Sequence, residues 1–481
     1  MKKMFLWFVV IAFLLSLTFV GTGCKEEATD SGTEESMEEV AEETAEETAE
    51  EPAEEAAEEK EPVTIMYWSK EGDEPSMVVW NELIAEFEEM YPWITVDLQI
   101  INDIDNKLIT VASAGGDIDV FEPNVNTTNS FMAEGLLQPQ NTWVDKLGGA
   151  EIYINHDAAI DEDGNVLAVP YATGGFVWFI RKDKLAEKGI PEPNELVTWD
   201  EFMTLAEQLN DDDMSGVGFP MKQDLATYFF FSQFPWSNGI DYFNEDFSLN
   251  FNHPRMVEAL EYYTELAAYA PEDITEWSWA ECIDYFISER VAMAPYAGRM
   301  VARIYADKPE LKDKIMAIRT PYNPNFMSVG IKDINQRAVY ANTKHPEECL
   351  LFMEWLHQPE NIVRFLITVP PHMLPNTAAE DAIFQQQSVP EIEENPEIVQ
   401  VILNARENAF TQANMVGGID FENKTVTVTG IINPYADIVM DGSTIGGTLQ
   451  KILLTGMDPQ AAADEGQAEL EIRLEEMMKE Q

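Results

Sequence analysis

Residues 166–185 read VLAVPYATGGFVWFIRKDKL, two apolar, β-rich runs on either side of Pro170 through Gly175. Pro170 fixes its own φ and biases its neighbour toward extended geometry, while Gly174 and Gly175 admit dihedrals that a side chain would forbid. Six non-strand residues are too many for a tight hairpin. The stretch therefore reads as a crossover, where the chain leaves one sheet and enters another. The plainer alternative is a loop between two strands of the same sheet.

Upstream, VTIMYW (63–68) reads as a strand, and residues 77–90 as an amphipathic helix with Val79, Leu83, Phe87 and Met90 at helical spacing. Residues 94–101 form the next strand. Residues 108–114 read as a helix ended by Gly115-Gly116, and a third, short strand at 119–121 leads into a polar loop at 122–129. Strands alternating with helices at this spacing make βαβ units with a parallel sheet. Downstream, Thr198-Trp199-Asp200-Glu201 is a capping box that opens a helix to Leu209, with Trp199 packing the helix start. Strands are expected at 216–220, 291–294 and 315–318, with a polar β-like run at 330–340. Helices are expected at 182–189, 225–234, 256–269, 277–288, 346–356 and 361–368, and from Asp458-Pro459 onward.

The chain has 481 residues, enough for two or three domains, and a net charge of −59 from 29 basic and 88 acidic residues. Of this, −16 falls in residues 25–61 and −45 remains on residues 62–481. So acidic a surface repels nucleic acid and anionic lipid headgroups, and argues against a polyanionic ligand. Residues 1–24 have the three parts of a secretory signal: Lys2 and Lys3, an apolar core at 4–20, then Gly21-Thr22-Gly23. Cys24 after small residues resembles the lipobox of bacterial lipoproteins, in which that cysteine is lipidated; Gly21 stands where such boxes usually carry leucine. An uncleaved anchor or plain secretion are the alternatives. Residues 25–61, near-repeats of Glu, Ala and Thr, read as an acidic disordered tether. Cys282 and Cys349 lie in helix-like patterns and are expected as buried free thiols, although an oxidising compartment would permit a disulfide.

No GxSxG, GxxxxGK[ST], HExxH or CxxC occurs, and His156, His253, His345, His357 and His372 have no ligand spacing. No catalytic residue, metal or cofactor is expected. A paired-carboxylate glycosidase stays open on composition alone, since 88 acids place some carboxylates near one another.

The order of several segments resembles the extracellular solute-binding proteins of ABC importers, of the carbohydrate-type, maltose-binding-protein-like group. The carriers are VTIMYW and FEEMYPWITV (87–96), ASAGGDIDVFEPN (112–124), EGLLQP (134–139), the 165–190 stretch with TWDEF, FISERVAMAPYAGRM (286–300), KHPEECLLFMEWL (344–356) and GMDPQAAADEGQAEL (456–470). FISER departs from the usual glycine before the basic residue, and residues 376–455 are rich in insertions. The resemblance implies an α/β fold of two lobes, each a mainly parallel sheet flanked by helices, joined by a multi-strand hinge. Residues 166–185 would be the first crossing, with others near 327–331 and 356–360. The N-terminal lobe would be 62–172 plus about 329–357, and the C-terminal lobe 173–328 plus 358–481. It implies a monomer that captures a small solute, a mono- or oligosaccharide, between the lobes. On the same resemblance the solute would be handed to ABC permease membrane subunits, with the protein exported and held by lipid at the outer face of the cytoplasmic membrane. A polyamine, metal-chelate or peptide binder, a cell-surface glycan-active enzyme, and a sensory binding protein are the competing readings.

A sugar site needs aromatic faces for the C–H side of the ring and planar polar groups for its hydroxyls, at the carboxyl ends of strands. Candidates are Trp68 and Glu71 after the first strand; Glu122, Asn124 and Asn126 after the third; and Tyr171 in the crossover. Tyr228 and Trp236 flank the run TYFFFSQFPW, Trp277 and Trp279 open a helix, Tyr296 and Arg299 follow VAMA, and Tyr435 and His372 are weaker members. For each the alternative is ordinary packing or, for the polar ones, a solvated loop or a surface ion pair; Arg299 would grip vicinal hydroxyls with its fork.

Overall fold

The computed structural model describes residues 60–481, apart from 102, 155–158, 162, 412–414, 427–430 and 481, and these residues form one compact unit. The signal segment, Cys24, nearly all of the acidic tether and His156 lie outside the described residues.

Nine strands carry the architecture: β1 (Val63–Ser69), β2 (Ile94–Ile100), β3 (Val120–Phe121), β4 (Ala168–Gly175), β5 (Val177–Arg181), β6 (Met293–Tyr296), β7 (Ile315–Ile318), β8 (Gly330–Val339) and β9 (Ala409–Thr411). One sheet has the order β2-β1-β3-β8-β4, with β9 also on β8; a second has the order β6-β5-β7. Strands β1 and β2 are parallel over their full length and connected by the helix Glu74–Met90. That helix is capped by Asp73, whose side chain accepts the Ser76 N–H, and it buries Trp80, Leu83 and Phe87 against the sheet. Nine of its 17 residues are exposed. The helix is amphipathic, but its buried stripe is centred on Trp80, Leu83 and Phe87; of the residues expected on it, Val79 is half-buried and Met90 is exposed, because the stripe turns toward Trp80.

The expected parallel character holds only in part. Strands β1, β2 and β3 are mutually parallel and β9 runs parallel to β8, but β8 is antiparallel to β3 and β4, and both pairs of the second sheet are antiparallel. The reason is connectivity. Strand β4 carries the chain out of the first sheet and β8 brings it back, so these neighbours must run in opposite directions.

The crossover is more regular than its composition suggests. Residues 170–175, read as non-strand, are all within β4, and only Phe176 separates β4 from β5. Pro170 is tolerated because β4 is the edge of its sheet, and the register slips between Pro170 and Ala172, a bulge at Tyr171. Neither Gly174 nor Gly175 has a positive φ. They are glycines because backbone passes close by: a Cβ on Gly175 would lie 2.5 Å from the Ile402 carbonyl oxygen and 2.8 Å from the Arg406 nitrogen, and one on Gly174 2.9 Å from the His372 oxygen.

Residues 216–220 are not a strand; the chain there makes single contacts with β6 and the residues before it, such as Gly218 N–H to the Met293 oxygen at 2.8 Å. The capping box forms, with Thr198 and Glu201 bonding each other's backbone, and Trp199 donates to the Pro321 carbonyl and stacks on Tyr262. Cys282 and Cys349 are buried free thiols. The helix Pro359–Leu366 packs on the helix Glu74–Met90: Phe365 lies 4.3 Å from Trp80, and Arg364 pairs with Glu82 and Glu86.

Candidate functional site

A cavity of about 260 Å³ opens where the two sheets meet. Its apolar side is built by the second sheet and its helices. Leu225 and Phe229 are one turn apart on the helix Leu225–Phe231, Trp279 opens the helix Trp279–Ile287, Tyr296 ends β6, and Phe176 is the single residue between β4 and β5. The rings form a connected wall, with Trp279 5.1 Å from Phe229, 6.0 Å from Phe176 and 6.2 Å from Tyr296. The facing side is polar. Lys70 follows β1, Asp105 stands in the first turn of the helix Ile104–Ser113, Asn124 caps the helix Val125–Ala133, and Asp333 comes from β8.

His372 completes the polar side. It is 8% exposed and its Nδ1 has no partner among the described residues. Burial first, then the charges of Arg299 and Lys70, push the imidazole well below its usual range, so it presents a neutral ring able to donate at one nitrogen and accept at the other.

Beneath Lys70 lies a buried ion pair. Glu122 and Arg337 are 0% and 1% exposed and meet at 3.2 Å, and Tyr67 bonds both. Glu122 also accepts from the Ser69 hydroxyl at 2.9 Å and the Lys70 backbone N–H at 3.1 Å. The guanidinium lies 3.9 Å over the Tyr171 ring. This pair therefore fixes the loop that presents Lys70. Breaking one partner of so buried a pair leaves the other charge uncompensated.

Across the cleft, Arg299 at the start of the helix Arg299–Asp307 reaches Glu71, with Nη2 2.8 and 2.7 Å from the two carboxylate oxygens, and Asp73 at 3.5 Å. A second, larger cavity of about 680 Å³ lies between the helix Val125–Ala133, with Asn126, Asn129 and Ser130, and residues 433–437. Asn126 Nδ2 lies 2.8 Å from the sulfur of Met440, which itself lines the inner cavity.

Of the residues expected at the site, the structure brings Asn124, Trp279, Tyr296 and the weaker candidate His372 to the inner cavity and Asn126 to the outer one. Glu71 and Arg299 face one another instead of open space. Glu122 and Tyr171 lie one layer below. Trp68 packs beside Ile104 and Leu108, with Lys107 over its ring at 4.1 Å. Tyr228 and Trp236 are fully buried, Trp236 donating to Asp241 and meeting Phe410 edge-on. Trp277 packs on Tyr285 and donates to Asp273; Tyr435 packs on Phe247. Lys70, Asp105, Phe176, Leu225, Phe229, Asp333 and Met440 line the cavity without having been singled out. Lys70 and Asn124 obey the carboxyl-end rule for strands β1 and β3. In LATYFFFSQFPW (225–236) the i, i+4 pair Leu225 and Phe229 was the available signal for which face looks outward. Asp333, in mid-strand, carried none.

The family profile described as bacterial extracellular solute-binding protein matches residues 71–362. YcjN of Escherichia coli (strain K12), named for a periplasmic-binding role in an ABC transporter, is 27% identical over 328 residues, covering 66% of this chain and 74% of its own length. An uncharacterised lipoprotein encoded in the oleD 5′ region of Streptomyces antibioticus is 21% identical over 317 residues, 64% of this chain and 69% of that protein. Among solved structures, maltose-bound MalE3 of T. maritima superposes with a TM-score of 0.70 at 17% identity, over 85% of this chain and 99% of that one.

Proposed function

As the chain belongs to the bacterial extracellular solute-binding proteins of ABC transporters, we propose that it captures a saccharide in the inter-lobe cavity and delivers it to a membrane permease. The observation that carries this reading is the division of the cavity: a wall of four rings on one side, and amide, carboxylate, ammonium and neutral imidazole groups on the other. A pyranose has the same two aspects, apolar C–H faces and a polar rim. Stacking removes the face from water while the rim hydroxyls exchange water for planar partners, so few polar groups are left unmatched. A volume of about 260 Å³ suits one ring, and the outer cavity offers room for a chain to continue past Asn126. The maltose-bound neighbour supports a sugar without naming which.

Lobe 1 would comprise residues 62–172 and about 329–357, extended by the helix Pro359–Leu366, with the remainder in lobe 2. Closure of one on the other is the hinge motion such folds use. Cys24 supplies the lipid anchor in this reading; partition of the mature chain into a detergent phase checks it.

Titration of the full-length protein with glucose, maltose and longer glucans, with spermidine as a cationic control, tests the substrate class. A sugar at about 100 times its Kd should stabilise the fold by roughly 2.7 kcal/mol. Asp105 and Asp333 at the cavity favour the cationic alternative, so a response to spermidine with none to any sugar would overturn the saccharide reading.

A further inference from the structure

Arg299 stands where its own helix disfavours it. The first turn of the helix Arg299–Asp307 gathers unpaired N–H groups and partial positive charge, and the Gly298 cap brings no side-chain oxygen to offset it. The compensating charge comes from the other side of the cleft. Glu71 takes Nη2 with both oxygens, and Asp73, whose other oxygen caps the helix Glu74–Met90, lies near Nη1. Side-chain exposures of 24%, 12% and 35% for Arg299, Glu71 and Asp73 put the cluster at the edge of solvent, accessible to salt but not free of desolvation.

Both ends of the cluster are stiffly tied to the cavity. The Glu71 N–H donates to Ser69 Oγ at 3.2 Å and its carbonyl accepts from Trp80 Nε1 at 3.2 Å, so the loop cannot slacken without moving Lys70. On the other side only Ala297 and Gly298 separate Arg299 from Tyr296. Gly298 is pressed so closely on Pro371 and His372 that a Cβ would come within 2.4–2.5 Å of their backbone atoms. Drawing Arg299 toward Glu71 therefore fixes Tyr296, His372 and Lys70 relative to one another.

We propose that Arg299 is the positioning residue of the cleft, and that its pairing with Glu71, one Nη2 reaching both carboxylate oxygens and backed by Asp73 near Nη1, latches the two lobes together before any solute arrives. The inference rests on the cavity being the solute site, but its test needs no solute. Small-angle scattering is measured on the full-length protein without ligand for wild type, R299M, E71Q and the swap E71R/R299E. Each single variant is expected to raise the radius of gyration by about 1 Å on a body of about 22 Å, and the swap to restore it, since a glutamate suits the helix start. Raising NaCl from about 0.05 M to about 1 M should move wild type toward the single variants and leave R299M unchanged. Identical scattering of wild type, R299M and E71Q overturns the latch, as does a swap that stays as open as the single variants. E71Q alters only a partly exposed loop carboxylate and decides the question if R299M does not fold. A protein that binds no sugar yet shows this scattering pattern would refute the saccharide reading and leave the latch standing.

Discussion

Trp279 and Trp236 both sit in short helices, yet they have opposite work. Trp279 is partly exposed and presents its ring to the cavity; Trp236 is fully enclosed, donating to Asp241 and meeting Phe410. Trp279→Ala is expected to weaken sugar binding about five- to thirtyfold, the loss of a stacking face worth about 1–2 kcal/mol, with little change in unfolding midpoint. Trp236→Ala should instead cost about 3–5 kcal/mol of stability. Calorimetric titration and urea unfolding of the two variants check the division, and equal effects on binding would refute it. The residue types that could stack on a sugar were plain in the sequence. Which of them faced the cavity was not, because a helix in an aromatic-rich run such as 227–236 can bury almost any of its faces.

At the scale of elements, the crossover depends on backbone packing more than on turn chemistry. Strand β4 runs straight into β5 through Phe176, and helix Pro396–Glu407 lies so close to Gly175 that no side chain fits. Gly175→Ala is therefore expected to destabilise by about 1–3 kcal/mol despite its ordinary φ, through displacement of that helix. Urea unfolding would show it as a lower midpoint at unchanged slope; a stabilised variant would mean that the helix yields freely. The break between sheets was legible in the VLAVPYATGGFVWFIRKDKL pattern. Its cause was misjudged, since the helix that crowds Gly175 lies more than 200 residues further along the chain.

For the whole molecule, burial of ionisable groups sets a pH dependence. Glu380 is 1% exposed, and burial pushes its carboxyl up to about 7, against the N–H groups of Asn376 and Thr377 that favour the ionised form. A folded-state value above the unfolded one means that the folded state holds the proton more tightly, so this contribution is present below about pH 4.5 and is lost as pH rises toward about 7. The stability of wild type relative to Glu380→Gln, which keeps one acceptor oxygen, should therefore fall by about 3 kcal/mol across that window and level off above it. Urea unfolding of both proteins at a series of pH values measures the difference. A flat difference would show that the carboxyl ionises without penalty.

Local pattern determined most of the longer strands and many of the helices with their caps, because each depends on neighbours within a turn or a strand; it missed the helix Val125–Ala133, read as part of a polar loop, the helix Pro396–Glu407 and strand β9. The ordered run of segments placed the chain in its family. The cavity was decided only by the fold: Lys70, Asn124, Trp279, Tyr296 and Asp333 come from five separate parts of the chain and meet through sheet order. Tertiary structure also turned Glu71 and Arg299 toward each other and sank Glu122 beneath Arg337. A charged side chain takes its role from the partner that long-range packing brings within reach, and that partner lies more than 200 residues away in each of these pairs.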